Sequence, residues 1–224
     1  MRYILSQDIT FGEIGGHMVF LDLAKDRYFR LESSIENSLR PYLKNGGPLP
    51  FDLSDLIASG ILIEDHDTAP ASLPSISKPC RSAFENHPST DDGLAPSHII
   101  ETMLVVLRMH WKLRHQKIRP IIENEVAYRR KNSKPRRLQP PLDASTVQAS
   151  RQFLKARRYV PIEPRCLLDS LSLLHFLSRR GLPASIIFGV TLEPFSAHCW
   201  VQSGDALLNE TLGTANAHTP IRVV

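Results

Sequence analysis

The chain has 224 residues, 42% of them apolar, and a net charge of +4; that allows one domain or two small ones with a real core and is too apolar for a disordered chain. Its three cysteines, Cys80, Cys166 and Cys199, are an odd and sparse set, which argues against a disulfide scaffold and for a reducing compartment. No run of about 18 apolar residues and no signal-peptide pattern is present, so a cytoplasmic protein without a membrane span is expected.

From the N-terminus, residues 2–5 (RYIL) can supply a strand. Residues 17–31 (HMVFLDLAKDRYFRL) alternate, break at Ala24-Lys25-Asp26 and resume with Tyr28, Phe29 and Leu31. That predicts two short strands across a tight turn. Ser33 or Ser34 can cap a helix with Glu36 in its first turn and Ile35, Leu39, Tyr42 and Leu43 at helical spacing. Asn45-Gly46-Gly47-Pro48 stops it. A second helical piece carries Leu53, Leu56 and Ile57 and ends at Gly60, before the apolar run Ile61-Leu62-Ile63. Strands, then short helices, then a last strand make a module of winged-helix character over residues 1–67. Residues 68–96 hold five prolines and many small polar residues without periodicity, which reads as a linker with Cys80 incidental to it.

A long helical pattern starts at Ser97, with Ile100, Met103, Leu104, Leu107 and Trp111 at three- and four-residue steps, and Pro120 breaks it. Residues 121–128 can restart a helix, 129–141 are basic and Pro-rich like a loop, and a further helix runs from about Ser145 to Tyr159 with Val147, Phe153 and Leu154 inward. Leu167 to Arg180 reads as a helix ended by Gly181 and Pro183. Ala184 to Val190 is a buried strand, and two strands, His198 to Gln202 and Ala206 to Asn209, flank a Ser203-Gly204-Asp205 turn.

Charge is unevenly placed. Residues 1–107 balance at −7, 108–158 at +12 and 159–224 at −1. A local basic block attracts acidic partners or polyanions, or is simply a solvated helix surface. The block lies outside residues 1–67, which carry 6 basic and 11 acidic residues, so a winged-helix nucleic-acid binder is disfavoured. No metal-ligand spacing appears among the histidines and cysteines, and no phosphate loop is present, so neither metal nor cofactor is expected.

The chemistry concentrates on Cys166, His198 and an acid near 205–210. Cys166 opens an amphipathic helix, where the macrodipole and free N–H groups favour a thiolate and can stabilise an oxyanion. His198 lies on a later strand, and an acid one hairpin further on can hold its imidazole in the right tautomer. Period two puts Cys199 on the opposite face from His198, which makes it a poor nucleophile. Trp200 reads as core, and Arg165 and Asp169 as surface groups.

Residues 166–210 (CLLDSLSLLHFLSRRGLPASIIFGVTLEPFSAHCWVQSGDALLNE) resemble the transglutaminase-like cysteine protease of lasso-peptide biosynthesis, the B protein. The likeness rests on Cys-Leu opening a helix, a strand ending in Gly189-Val190, Pro194-Phe195, His198-x-Trp200-Val201, and Asn209 before an acid. The stretch LDLAKDRYFRL resembles the PqqD-like leader-recognition element of the same pathways, which some systems fuse to the protease. The family usually has Asp where this chain has Glu210, with Asp205 as the rival acid, and Cys199 stands where Ser or Ala is common.

The resemblance implies an α+β chain: a small winged-helix-like module at 1–67, a linker at 68–96, and a transglutaminase-like, papain-related cysteine protease domain at 97–224. It implies a leader peptidase that binds the leader of a lasso precursor peptide and frees the core for an ATP-dependent, asparagine-synthetase-like cyclase, with no nucleic acid or membrane involved. Cys166 would be the nucleophile, His198 the acid–base and Glu210 its orienting group. The leader would add as a strand along Tyr28, Phe29, Arg30 and Leu31, with Leu53, Leu56 and Ile57 giving apolar pockets, although a helical apolar stripe more often faces its own core. A non-proteolytic adaptor and an acyltransferase on the same fold are the alternatives.

Overall fold

The fold was obtained as a computed structural model, which describes residues 2–46, 50, 53–65, 77–83, 85, 94–132 and 144–224. Internal contacts divide the chain into two units, Met1–Ser75 and Ile76–Val224. Secondary structure is mixed, with seven helices and ten strands among the described residues. No helix among them is long and apolar enough to cross a membrane.

In the first unit, β1 (Tyr3–Leu5) is followed by an antiparallel meander of β2 (Ile9–Ile14), β3 (His17–Asp22) and β4 (Arg27–Phe29). The β2–β3 turn is Gly15-Gly16, both at positive φ, the conformation a two-residue hairpin demands. Next come α1 (Ser33–Asn45), α2 (Ser54–Ala58) and β5 (Leu62–Glu64), the last pairing antiparallel with β1. β2 went unread in the sequence; the strands flanking Ala24-Lys25-Asp26 and both short helices lie where the pattern put them. The core gathers Met18, Phe20, Leu39, Leu53, Leu56 and Leu62. Glu36, expected only as a first-turn acid, is buried, where it accepts the Met18 N–H at 2.9 Å and pairs with Arg40 at 2.6 Å. A buried carboxylate requires such partners.

The second unit is built on a five-stranded sheet of order β10-β7-β8-β9-β6. Its strands are β6 (Arg81–Ser82), β7 (Ser185–Leu192), β8 (Phe195–Ser203), β9 (Ala206–Leu207) and β10 (Thr219–Val223). All neighbours are antiparallel except β6 and β9. The helices are α3 (Pro96–His115), α4 (Ile118–Asn132), α5 (Ala144–Arg157), α6 (Cys166–Arg179) and α7 (Leu212–Ala217). α6 packs on β7 and β8 and is itself covered by α3, α4 and α5. A smaller cluster of Ile187, Trp200, Leu207 and Ala215, with Leu212 of α7 beside it, forms a second apolar patch in this unit.

Four expectations need correction here. Residues 77–83 are not a free connector, because β6 pairs with β9 and the Ala83 N–H donates to the Leu207 carbonyl at 2.8 Å. Much of the remaining predicted linker lies outside the described residues. On α3 the buried positions are Thr102, Val105, Val106 and Met109, while Ile100, Leu104, Leu107 and Trp111 are exposed. This helix carries two apolar stripes, and the one with the smaller side chains packs against α5 and α6. The break after α3 falls at Gln116, and Pro120 sits in the first turn of α4, where its missing N–H costs nothing. α4 then continues through Asn132, although Arg129 onward read as loop. Part of the basic block is structural: Arg157 is buried, and Arg129 donates to the carbonyls of Ala184 (2.7 Å) and Val224 (3.2 Å).

Candidate active site

Cys166 is the first residue of α6, preceded by Arg165 in extended conformation (φ −140°, ψ 134°), so it occupies a helix N-terminus and is exposed. The approach to this turn is fixed from behind. Arg157, at the end of α5, donates to the carbonyls of Val160 (3.3 Å) and Ile162 (2.9 Å) and to Asp169 Oδ1 (2.7 Å) in the first turn of α6. Asp169 is therefore half-buried and paired, not the surface group its sequence position suggested; burial raises its pKa although Arg157 opposes the shift. Arg165 does lie at the surface.

His198 stands on β8 opposite Gly189 of β7. Its Nε2–H donates to Glu210 Oε2 at 2.6 Å, which leaves Nδ1 to face Cys166, with which the ring also hydrogen-bonds. Trp200, two residues on, stacks with the imidazole at 6.3 Å between ring centres, and His218 lies 5.4 Å from it. Trp200 is fully buried, so it acts as core and as a wall for His198 together. Gly189 is required: a Cβ there would lie 2.8 Å from the Trp200 ring and 3.0 Å from His218 Cβ.

Glu210 is held at three points. Its other carboxylate oxygen, Oε1, accepts the Thr211 N–H at 2.8 Å, its carbonyl accepts from Ser82 Oγ at 2.8 Å, and His198 takes Oε2. Burial works to raise its pKa, but the His198 and Thr211 hydrogen bonds win and hold it below the usual carboxylate range. Asp205, the rival acid, is engaged elsewhere: it pairs with Arg81 Nη2 and accepts from the Cys80 thiol at 2.8 Å. Cys80, read as incidental, thus helps pin β6 to the β8–β9 turn.

Cys199 is where the sequence reading fell short. It is buried and on the other face of β8 from His198, as alternation requires, yet that face meets α6. Its carbonyl accepts from Ser170 Oγ, one turn beyond Cys166, at 3.1 Å. Ser170 Oγ in turn accepts from Asn209 Nδ2 at 3.0 Å, and Asn209 Oδ1 accepts the Val201 N–H at 2.7 Å. This chain fixes the Cys199 backbone to α6 one turn beyond Cys166. Hydrogen bonds from Cys199 and then His198 hold Cys166 down at about 4, and bonds to Cys166 and Glu210 raise His198 to about 9. The pair rests as thiolate and imidazolium near neutral pH, a nucleophile beside a proton donor.

Residues 104–223 match the transglutaminase-like superfamily. The chain belongs to that superfamily. Comparison with curated proteins and with solved structures gives no significant match. In this transglutaminase-like chain the structure brings together Cys166, His198 and Glu210 and leaves Asp205 out. Of the residues expected to bind a leader, Arg30 is exposed, and Tyr28 and Phe29 lie on β4, an edge strand of its sheet; Leu31 follows it, packed against the unit's core. Leu53 and Leu56 do not offer pockets: both are buried in that core, and Ile57 packs against it. The rule that a helical apolar stripe faces inward decides their place. Ser82, Arg157 and Ser170 went unread because their partners are 128, 12 and 29 residues away in sequence.

Proposed function

We propose that this protein is the leader peptidase of a lasso-peptide pathway. The observation that carries the reading is the Cys166–His198–Glu210 line in a transglutaminase-like fold, taken with the motif resemblance of residues 166–210. The Cys166 thiolate attacks the carbonyl that joins leader to core. The developing oxyanion meets the unsatisfied N–H groups of the first turn of α6. His198 gives its proton to the departing core amine, then takes one from the water that hydrolyses the leader thioester. Glu210 keeps Nε2 protonated and the ring turned to the sulfur.

The first unit, with its strands, two short helices and closing strand, serves in this reading as a PqqD-like, winged-helix-type recognition module. Its β4, Arg27–Phe29, is an outer strand of its sheet and the place where a leader strand would add, with Arg30 and Leu31 beyond it. The freed core would pass to an asparagine-synthetase-like cyclase. The test is a precursor peptide incubated with the full chain and its variants. Cys166→Ala and His198→Ala should both fall to background cleavage while still binding leader, since members of one catalytic unit are not additive. Cleavage surviving in Cys166→Ala would refute the assignment.

A further inference from the structure

β8 is flanked unequally. β7 pairs with it from Phe195 through Gln202, whereas β9 reaches only Gln202 and Ser203. Three hydrogen bonds fix the direction of its backbone groups. The Val201 N–H donates to Asn209 Oδ1 at 2.7 Å, and the Val201 carbonyl accepts the Leu208 N–H at 2.9 Å, so both point away from β7. Two residues earlier the Cys199 carbonyl points the same way, accepting from Ser170 Oγ at 3.1 Å. In an antiparallel pair of unbroken register every second residue repeats this orientation, so Ala197 also turns its N–H and carbonyl outward. Ala197 is exposed, and among the described residues no hydrogen bond from another element reaches either group. Ser196 beside it is exposed too, and both side chains are small enough to let a second backbone approach.

This edge lies beside the thiol. α6 ends at Arg179 and β7 begins at Ser185, so the short link between them puts the C-terminal end of the helix at the Ser185–Gln202 end of the hairpin. The N-terminal end of the helix, with Cys166, therefore lies toward Ala197 and His198. Ser170 marks the path: it meets Cys199, and Cys166 is one helical turn further in that direction. Phe195 stands two residues before Ala197, about 7 Å along the strand, with its side chain on the same face as those of Ala197 and Cys199. Its ring is 54% exposed. An outward main-chain donor and acceptor, small side chains and an aromatic ring, all next to a nucleophile, are the parts of an edge that binds a peptide strand.

We propose that the Phe195–Ala197 edge of β8 binds the peptide being cleaved. The substrate lies along it in extended form as an added strand. It exchanges two main-chain hydrogen bonds with Ala197 and rests an apolar side chain near the scissile bond on the Phe195 ring. The ligand class is an extended peptide read mainly through its backbone. A helical or sheet-bound segment is refused, because its N–H and carbonyl groups are already spent. The edge holds the bond to be cut, whereas the first unit would hold a distant part of the leader. This role stands on Cys166 being the nucleophile of the proposed peptidase.

The test uses the full-length chain and synthetic precursor peptides. One backbone amide at a time, close to the scissile bond but never that bond itself, is replaced by an ester. An ester removes the N–H donor with little change of shape. The replacement that removes the donor to the Ala197 carbonyl should lower kcat/KM about fivefold, the worth of one main-chain hydrogen bond, and its neighbours should change it much less. Phe195→Ala should raise KM on the order of tenfold, and Phe195→Leu, which keeps an apolar side chain, much less. Both Phe195 variants should be alkylated at Cys166 by iodoacetamide at the unaltered rate, since the thiolate is untouched. A flat ester series, or an unchanged KM in Phe195→Ala, overturns the edge and leaves the peptidase standing as long as the unmodified precursor is cleaved. Slower alkylation in step with slower cleavage in Phe195→Ala also overturns it, because the ring would then support the thiol and not the peptide. An intact precursor together with an unreactive Cys166 refutes the peptidase reading itself.

Discussion

A free cysteine titrates at about 8.5 and a free histidine at about 6.5. In this chain the order is reversed, with Cys166 at about 4 and His198 at about 9, because each stabilises the charged form of the other and Cys199 and Glu210 add hydrogen bonds to the two ends. The active ion pair needs the sulfur deprotonated and the ring protonated. Falling pH removes the thiolate through about 4, and rising pH removes the imidazolium through about 9. Plotted against pH, kcat/KM for precursor cleavage should be a bell with those limbs, which belong to the pair and not to either residue. Replacing Cys199 by Ala should move the acid limb upward, since its bond is the largest contribution to the lowered thiol. At the other end, Glu210→Gln should lower kcat on the order of a hundredfold and bring the alkaline limb down, whereas Glu210→Asp should keep far more activity. Asp205→Asn should leave kcat nearly unchanged, because its carboxylate is engaged by Arg81 and Cys80; a large loss there would undo the assignment of Glu210. Cys166, His198 and an acid near residues 205–210 were legible as residue types at a spacing, and the choice of Glu210 came with the resemblance of residues 166–210. Cys199 was not, because period two says which face a side chain takes and nothing about what packs on that face.

At the scale of elements, α6 and the β8–β9 hairpin were readable, since a 3.6-residue period, Gly181 at the helix end and Gly204 in the turn are local signals. The elements missed or misread lack such signals. β10 carries Pro220, α7 is six residues long and contains Gly213, and β6 is a two-residue strand in a Pro-rich stretch. Their structure comes from tertiary pairing, which overrides weak local preference. β6 nonetheless delivers Ser82 to the Glu210 carbonyl, so a stretch that reads as linker supports the acid. Gly189 shows the converse, a single local choice imposed by packing. Gly189→Ala forces its methyl against the Trp200 ring and His218, the two groups flanking His198. Overpacking of that kind should cost about 1–3 kcal/mol in a denaturant titration. Cleavage measured on the folded fraction should drop as well, because the imidazole loses its fixed walls; an unchanged rate would mean the walls do not position it.

For the whole molecule, the proposal assigns recognition to one unit and chemistry to the other. A recognition unit on the same chain holds the scissile bond near the thiol at an effective concentration on the order of millimolar. Remote binding of this sort is shared by ground and transition states, so its loss should appear in KM. Arg30→Glu, just beyond the β4 edge, should therefore raise KM for the precursor and leave kcat within a small factor, and a change confined to kcat would place the leader elsewhere. Every step of the account passes through one covalent species, the leader attached to Cys166. Acid quench of the full chain during turnover, followed by intact-mass measurement and peptide mapping, tests it most directly. The account predicts an adduct of leader mass less water on Cys166, absent in Cys166→Ala. It also predicts released leader that carries one oxygen atom from labelled water even when a competing amine is added. No adduct during active cleavage, an adduct on another residue, or leader transferred to the amine in place of water would contradict it.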